Sequence, residues 1–490
     1  MKIFPVRGGI HPEYHKELAS DQAITALPMP ARLEILLQQH IGAPARVTVA
    51  AGDRVLKGQT IAQAVGPMSA SAHAPTSGHI ESVTEVTAPH PSGLPQTAIV
   101  LVPDGKDEWT ELPAPIADPL AADPQMIRER VAQAGIVGLG GATFPAVVKL
   151  QLGFQRKLKM LILNGAECEP YLCCDDRLMR EHAEEVIDGA RIMAHALGTP
   201  KVFVGIEENK PEAVAAMTRA AADYPEVTVA AVPVQYPMGS ERHLVQAFTG
   251  LETPATKLTA DIGAVVHNVA TARAVHQAVR HGRPLIERVV TVSGRAVREP
   301  RNISAPIGTP VSELIDFCGG LVGMPSRLIQ GGPMMGQPLP SLDVPVVKGT
   351  SGILALTAEE TGDAPPGPCI RCGTCVSVCP CGLTPLEMVA HIRADDLDGA
   401  ANLGVTECYS CGSCAWACPS HIPLVNYINY AKWMLKTKER ERAKHERTKT
   451  LTEAKRVRLE RAAAAKATKA PPKGITPATR KPQVEEPAEA

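Results

Sequence analysis

Aromatic residues are scarce in this chain of 490 residues, at 3% of the positions. Basic residues are not in excess either, with 50 Lys and Arg against 51 Asp and Glu. Residues 436–490 hold 16 of these basic residues and only 8 of the acidic ones, so residues 1–435 are acidic overall. Nucleic-acid binding depends on clustered Lys and Arg for the phosphates, and an acidic body with few aromatic rings argues against it.

Long hydrophobic runs are also missing. No stretch of about 20 apolar residues, the length that a membrane-spanning helix needs, occurs in the sequence. The start, MKIFPVRGGIHPEYHKELAS, has no apolar segment after its positive charge, unlike a secretory signal. We therefore expect the chain to stay in the cytosol and not to cross a membrane.

Cysteines spread along the chain in pairs, as in a disulfide framework, are absent as well. Of the 13 cysteines, eight lie in two short runs near the C-terminal end. In a reducing compartment such clustering indicates metal ligands rather than disulfides.

At roughly 150 residues per domain, the length predicts about three domains with separate cores.

The sequence pattern changes several times along the chain. Residues 40–105 alternate short β-rich runs with Gly and Pro turns, which predicts a small all-β module. Residues 125–285 alternate strands such as LKMLILN with helices such as REHAEEVIDGARIMAHALG, which predicts an α/β domain with a largely parallel sheet. A compact α+β module should follow up to about residue 355, and a solvated helix with a disordered end should follow the cysteines.

Both cysteine runs have the pattern C-x2-C-x2-C-x3-C-P. The ligand residues are Cys369, Cys372, Cys375 and Cys379 in the first run, and Cys408, Cys411, Cys414 and Cys418 in the second. In this pattern three thiolates bind one [4Fe–4S] cluster, while the fourth, which we expect to begin a helix, binds the other. One cluster should therefore take Cys369, Cys372, Cys375 and Cys418, and the other Cys408, Cys411, Cys414 and Cys379.

Other metals and other thiols fit this pattern less well. Zinc sites usually use two C-x2-C knuckles, whereas each run here has a third cysteine at the same spacing and a Cys-Pro pair. Cys381 follows the first run directly and has no place in the ligand count, so we expect it not to be a ligand. Cys318 lies in an apolar stretch, which is typical of a buried thiol.

Four further segments suggest a cofactor in the α/β domain. GLGGATFPAVVK, residues 138–149, places glycines before a helix start, where backbone amides can approach a phosphate. NGAECEP, residues 164–170, follows a strand, at the edge where open α/β sheets bind ligands. YPMGSE and VVHNVAT follow at residues 236–241 and 265–271.

In this order the four segments resemble the flavoprotein subunit of respiratory complex I, in which FMN receives hydride from NADH. The resemblance implies a group of residues around the flavin: Gly138, Gly140, Gly141, Lys149, Asn164, Glu167, Tyr236, Gly239, Glu241, Asn268 and Thr271. It places Phe144 near the nicotinamide and gives Phe144 and Glu167 the catalytic roles. The chain departs from that family at four positions, where it has Leu139 for Arg, Ala166 for Asp, Ser240 for Glu and His267 for Asn.

With its module order included, the chain up to about residue 435 resembles RnfC, a component of the Rnf electron transport complex, which is a bacterial membrane redox complex. This resemblance implies a multidomain α/β protein with five parts: an N-terminal segment and barrel-sandwich β module (1–120), a Rossmann-like FMN/NADH domain (121–284), a soluble-ligand-binding β-grasp module (285–357), a ferredoxin-like domain with two [4Fe–4S] clusters (358–435), and a basic helical, then disordered tail (436–490).

The implied function is that of an NADH-linked oxidoreductase and translocase subunit. It would pass electrons between NAD(H), FMN, two [4Fe–4S] clusters and the membrane subunits of the same complex, with ferredoxin as a further redox partner. The resemblance places it at the cytoplasmic side of the inner membrane as a peripheral subunit. A flavin can take two electrons and release them singly, which suits a route from a hydride donor to one-electron clusters.

Two other functions remain open at this point. One is a soluble flavin and iron–sulfur reductase, such as a cobalamin reductase, and the other is a cluster-bearing adaptor without flavin. The carrier-like β module should hold no lipoyl or biotinyl group, because no lysine occurs between Lys57 and Lys106.

Overall fold

A computed structural model describes residues 2–467 of the chain. The described residues belong to two compact units, one up to Asn429 and one from Tyr430 onward. The candidate site residues named above all lie in the first unit.

The first module is all-β, as the alternating pattern predicted. Its strands are β1 (Thr25–Ala26), β2 (Leu33–Leu36), β3 (Arg46–Val47), β4 (Arg54–Val55), β5 (Thr60–Gln63), β6 (Ala72–His73), β7 (Gly78–Thr87) and β8 (Pro95–Pro103). Two antiparallel sheets, in the orders β2-β8-β7-β4 and β3-β5-β6, enclose a core that includes Leu33, Ile61 and Ile99. β1 does not belong to either sheet.

The second module is the predicted α/β domain. Its elements are α1 (Pro124–Gln133), α2 (Ala146–Leu150), α3 (Leu152–Gln155), β9 (Met160–Gly165), α4 (Cys174–Glu181), α5 (Ala183–Leu197), β10 (Val202–Glu207), α6 (Pro211–Ala220), β11 (Val227–Val232), α7 (Glu241–Thr249), β12 (Ala264–Asn268) and α8 (Val269–His281). The helix predicted over residues 180–198 is in fact two helices, separated at His182.

The strand order of this domain locates a ligand-binding edge. All four strands are parallel, in the order β11-β10-β9-β12. The chain therefore builds outward from β9 on one side and then returns to the other side with β12. Ligands bind to open α/β sheets at the carboxyl ends of the strands, where the order reverses in this way. Asn164 and Asn268 are register partners at that point.

The third module contains β13 (Glu287–Ser293), β14 (Arg301–Pro306), α9 (Val311–Phe317), β15 (Arg327–Gln330), β16 (Gln337–Pro338), β17 (Gly352–Leu356) and α10 (Ala358–Thr361). Its mixed sheet has the order β1-β14-β13-β17-β15-β16. β1 from the N-terminal segment thus pairs with β14, in parallel, through Thr25 and Ile303.

The cysteine-rich module is built from short helices: α11 (Thr374–Ser377), α12 (Pro385–Arg393), α13 (Leu397–Asn402) and α14 (Ser413–Trp416), followed by α15 (Leu424–Ala467). The prediction that the fourth cysteine of each run begins a helix was wrong. Cys379 and Cys418 follow the short helices α11 and α14, because a residue that precedes a proline is disfavoured in the helical conformation.

The long helix α15 is the solvated helix predicted after the cysteines, and the predicted disordered end lies outside the described residues. Over residues 2–467, no helix combines the length and the apolar character needed to cross a membrane.

Candidate functional site

The glycine loop is fixed to the first turn of α8. The amide of Leu139 donates to Thr271 Oγ1 over 2.9 Å, and the amide of Gly138 donates to the carbonyl of Phe144 over 2.8 Å. Gly141 has a φ of +101°, and a Cβ atom built on it would have no atom within 4 Å. The loop is therefore pinned at its base and open where its backbone faces outward.

Gly140 lies against Asn268 at the edge of the sheet. A Cβ atom on Gly140 would stand 3.2 Å from Asn268 Cβ, which leaves no space for a larger side chain. Asn268 caps α8 by accepting from the amide of Ala270 at 2.8 Å, and it donates to Asp175 Oδ2 at 2.6 Å. The structure thus brings Gly140, Asn268 and Thr271 together, as the resemblance implied.

The other strand end carries a second group of the predicted residues. Asn164 Nδ2 donates to the carbonyl of Gly239 over 2.8 Å, which joins the loop after β9 to the loop before α7. Lys149 Nζ forms a 2.8 Å ion pair with Glu241 Oε2 and also donates to the carbonyl of Val266 at 3.0 Å. Lys149 and Glu241 therefore lie beside β12.

His267, which replaces the Asn of complex I, is buried at this edge. Burial and the nearby Lys149 ammonium hold the pKa of His267 well below its ordinary value, so the imidazole is neutral. Its Nε2 atom is buried without a hydrogen-bond partner among the described residues. A buried polar atom left without a partner is costly, and a bound polar ligand would supply the missing bond.

Glu167, one of the two proposed catalytic residues, has its carboxylate directed to a helix. The two oxygens accept from the amides of Asp175 at 2.7 Å and Asp176 at 3.1 Å, at the start of α4. A carboxylate is stabilised there by free amides and the helix dipole. Phe144, the other proposed catalytic residue, is half-buried at the end of the glycine loop.

Several residues that contact the loop after β9 were missed in the sequence analysis. Lys16 donates to the carbonyls of Glu167 at 2.8 Å and Glu169 at 3.0 Å, and Lys210 donates to the carbonyl of Ala166 at 2.7 Å. Two ammonium groups thus hold the segment after β9. Lys16 carries no local signal, because it belongs to the N-terminal segment, far away in the sequence.

Asp175 was missed as well, although two aspartates at the start of a helix just after a strand end could have drawn attention to it. Its carboxyl group is bonded to Asn268 in the interior, and burial together with the Glu167 carboxylate raises the pKa of Asp175. This carboxyl group therefore binds a proton more readily than an exposed one.

The eight cysteines of the two motifs lie in two groups of four. One cavity is lined by Cys369, Cys372, Cys375 and Cys418. The other is lined by Cys379, Cys408, Cys411 and Cys414. Each group takes three cysteines from one run and the fourth from the other run, which is the exchange that the motif predicted.

The backbone of both ligand loops turns at a glycine. Gly373 and Gly412 have φ values of +79° and +85°, in the left-handed region. Cys369 and Cys372 are exposed, whereas Cys411 and Cys414 are buried. Cys381, which we expected not to be a ligand, also lines the second cavity.

Tyr236 reaches beyond the position implied by the resemblance. Its hydroxyl donates to the main-chain carbonyl of Cys411 over 2.6 Å, so the ring reaches a cysteine loop. The Tyr236 hydroxyl thus donates its proton at the second cavity, and the flavin role of Tyr236 stays a prediction.

Both cofactor types fit the residues present. Four thiols around each cavity form the donor set of a [4Fe–4S] cluster. For FMN, the open backbone at Gly141 and the Lys149 ammonium supply donors for a polar, phosphate-bearing ligand, and His267 Nε2 is a buried polar atom without a partner at the same sheet edge.

Four protein-family models match successive parts of the chain. They are described as the RnfC barrel sandwich hybrid domain, matching residues 4–106, the Nuo51 FMN-binding domain, matching 131–277, the SLBB domain, matching 289–338, and the 4Fe-4S dicluster domain, matching 368–422. These matches confirm the predicted fold class, the FMN and the two [4Fe–4S] clusters.

Similar proteins match most of the chain. The RnfC component of the ion-translocating oxidoreductase complex of Rhodobacter capsulatus is 57% identical over 448 residues, which is 91% of this chain and 86% of that protein. The component of the same name from Yersinia pestis is 44% identical over 461 residues, 94% of this chain and 74% of that protein. A solved NAD+-reducing [NiFe]-hydrogenase has a TM-score of 0.46 and 22% identity, covering 61% of this chain and 60% of that chain.

Proposed function

Since this chain belongs to the RnfC family of the ion-translocating oxidoreductase complex, we propose that it exchanges electrons with NAD(H) and passes them singly to other subunits of such a complex. It is an electron-transfer subunit with an FMN-binding domain and a 4Fe-4S dicluster domain.

The main support for this proposal is that the eight cysteines form two adjacent groups of four, each with one cysteine from the other motif. A protein that held only structural metal would not need two adjacent four-thiol sites that exchange a ligand, whereas a short electron path benefits from two clusters side by side. Cys379 reaches from the first motif into the second site, and Cys418 reaches from the second motif into the first. The exchange fixes the two sites relative to each other within one small module.

On the flavin side, the residues that would hold FMN are those gathered at the sheet edge: Gly138, Gly140, Gly141, Lys149, Asn164, Gly239, Glu241, Asn268 and Thr271. When bound, FMN accepts a hydride and releases its two electrons singly, and each [4Fe–4S] cluster carries one electron. Lys149 supplies positive charge for a phosphate, while Asn268 and Thr271 hold the glycine loop in place.

For the dinucleotide, we propose that Phe144 and Glu167 remain the contacts near the nicotinamide. Glu167 orients the loop after β9 through its bonds to the first amides of α4. Phe144 orients the glycine loop through the bond from the Gly138 amide. Oxidation of one NADH then yields NAD+, one proton and two electrons, and the reverse reaction consumes them.

The proposed partners are membrane subunits of the same complex, with ferredoxin as a redox partner of the assembly. We place the chain on the cytoplasmic face of the bacterial inner membrane as a peripheral subunit. Electrons can travel in either direction, according to the potentials of the donor and the acceptor.

Anaerobic reconstitution of the full chain with iron, sulfide and FMN tests the proposed function. We expect stoichiometric flavin, two EPR-active clusters after reduction, and bleaching of the flavin by NADH. The variant Gly140→Leu should keep both clusters but lose the flavin and the NADH response. If the unaltered chain retains the clusters but no flavin, the protein is an adaptor. If NADH bleaches the flavin and the host has no membrane partner subunits, the protein is a soluble reductase.

A further inference from the structure

Tyr236 lies between the sheet edge of the flavin domain and the second cysteine cavity. The side chain is 1% exposed, and its main chain exchanges two hydrogen bonds of 2.9 Å with Ile10 of the N-terminal segment. Three residues later, the carbonyl of Gly239 accepts from Asn164 at the end of β9. One short segment, residues 236–239, therefore touches the candidate flavin site at one end and the Cys411 carbonyl at the other.

The contact lies among buried apolar side chains, with the Glu169 carboxyl group as a buried polar neighbour of the Tyr236 hydroxyl. Tyr236, Met238, Cys168 and Cys411 belong to one buried cluster, with Met334 packed against it. Hydrogen bonds are electrostatically stronger in such a low-dielectric interior than in water, and an unpaired polar group costs more there. Loss of the 2.6 Å bond from the Tyr236 hydroxyl would therefore leave the Cys411 carbonyl short of a partner in a place where an unpaired polar group is costly.

The ligand loop is also held on its other sides. A Cβ atom on Gly412 would stand 3.0 Å from the carbonyl oxygen of Met334. A Cβ atom on Gly8 would stand 2.6 Å from the carbonyl carbon of Cys379, and the amide of Gly9 donates to the carbonyl of Val378 at 2.9 Å. Backbone thus packs against backbone around this cavity, and Tyr236 supplies a side-chain donor to it.

We propose that Tyr236 is a positioning residue for the centre formed by Cys379, Cys408, Cys411 and Cys414. The Tyr236 hydroxyl fixes this centre against the flavin domain and stabilises its reduced form. The inference rests on the proposed function, because it requires that the four thiols hold a redox-active cluster. Reduction adds one negative charge to the centre, and the positive end of the Tyr236 O–H dipole, directed at the main-chain carbonyl of Cys411, stabilises that charge. Hydrogen bonds near cluster ligands are among the features that set reduction potentials.

A tyrosine near the other centre provides a control. Tyr427 accepts at its hydroxyl from Arg393 Nη2 at 3.2 Å, and Arg393 lines the cavity of Cys369, Cys372, Cys375 and Cys418. Removing the hydroxyl of Tyr427 changes the surroundings of that cavity and leaves the Tyr236–Cys411 bond in place.

The test is an EPR-monitored redox titration of the reconstituted full chain and its variants. Tyr236→Phe should shift the midpoint potential of one cluster to a lower value and leave the other unchanged. The Cys411→Ala variant identifies which EPR signal belongs to the second cavity. Tyr427→Phe should leave the potential of that signal at its original value. Incorporation of 3-fluorotyrosine at position 236, a stronger donor of the same shape, should shift the potential upward.

The outcomes separate this inference from the proposed function. If the unaltered chain assembles no clusters or binds no flavin, the proposed function fails. If both clusters and the flavin are present, but neither Tyr236→Phe nor 3-fluorotyrosine moves either potential, the positioning role of Tyr236 is overturned. If Tyr236→Phe does not fold, the 3-fluorotyrosine protein decides the question alone, since it preserves the packing of the ring.

Discussion

The side-chain amine of Lys16 donates a hydrogen bond to the main-chain carbonyl of Glu167 over 2.8 Å, although 151 positions separate the two residues. The same amine reaches the carbonyls of Glu169 and Leu172. A single ammonium group therefore holds three carbonyls of the loop that carries Glu167.

Replacement of this lysine should loosen the loop. For Lys16→Met we expect amide hydrogen exchange over residues 167–175 to become about tenfold faster or more, because charged hydrogen bonds contribute about 1.5–3 kcal/mol. Mass spectrometry of peptic peptides measures this rate. Lys157→Met, at an exposed lysine, is the control, and equal exchange in both variants would show that Lys16 does not hold the loop.

Loss of one ligand cysteine should remove one cluster and not both. The unaltered chain should contain about eight irons, and Cys372→Ala and Cys411→Ala should each contain about four. Iron analysis and EPR of anaerobic protein measure this, with Cys318→Ala as a buried-thiol control that keeps about eight. Bound zinc, or full iron content in both ligand variants, would refute the cluster assignment.

A large side chain at Gly140 should abolish flavin retention. The Cβ atom would already stand 3.2 Å from Asn268, so the rest of a leucine side chain must displace the loop or the asparagine. Flavin absorbance after gel filtration of Gly140→Leu gives the result. Gly367→Leu is a control, since its Cβ would have no contact closer than 3.9 Å. Normal flavin content in Gly140→Leu would exclude this loop as the site.

The N-terminal β module should carry no attached lipoyl or biotinyl group. No lysine occurs between Lys57 and Lys106, and the turn over residues 66–71 continues into buried backbone. The carbonyl of Ser71 accepts a hydrogen bond from the buried Lys348 amine at 2.6 Å, so the end of this turn is packed against another part of the protein. Intact mass spectrometry should show the unmodified mass over residues 58–105, and an added carrier group there would contradict the prediction.

The basic tail should contribute to membrane association only weakly. Residues 436–490 carry 16 basic and 8 acidic residues, and each basic residue near an anionic leaflet adds about 1 kcal/mol, screened within about 10 Å at 0.1 M salt. Deletion of residues 440–490 should therefore reduce the salt dependence of binding to membranes that contain the partner subunits, and should not abolish binding. Complete release, measured by sedimentation, would mean that the tail is the main anchor.

The sequence predicted best what depends on local pattern. The strands and helices of the α/β domain follow from apolar runs such as LKMLILN, and the exchange of Cys379 and Cys418 follows from the spacing of the two motifs. The prediction of a single helix over residues 180–198 was wrong, because a break of one residue at His182 leaves the helical periodicity almost unchanged. The prediction that the fourth cysteines begin a helix was wrong too.

Contacts between distant segments could not be predicted in the same way. The pairing of β1 with β14 involves only two residues of β1, Thr25 and Ala26, and two residues are too few to show the alternation of a strand. The bond from Tyr236 to Cys411 depends on how two separate modules pack. Resemblance assigned this tyrosine to the flavin, and the three-dimensional arrangement alone placed its hydroxyl at a cysteine loop.

The N-terminal segment has a consequence for the order in which the protein can mature. Asn302 donates to the carbonyl of Ala19 over 283 positions of sequence, close to the pairing of β1 with β14. At about 5–20 residues per second of translation, residue 19 waits about 15 to 60 s on the ribosome for its partner. During that interval the residues of β1 have no pairing partner. The first residues synthesised are therefore among the last to reach their native contacts.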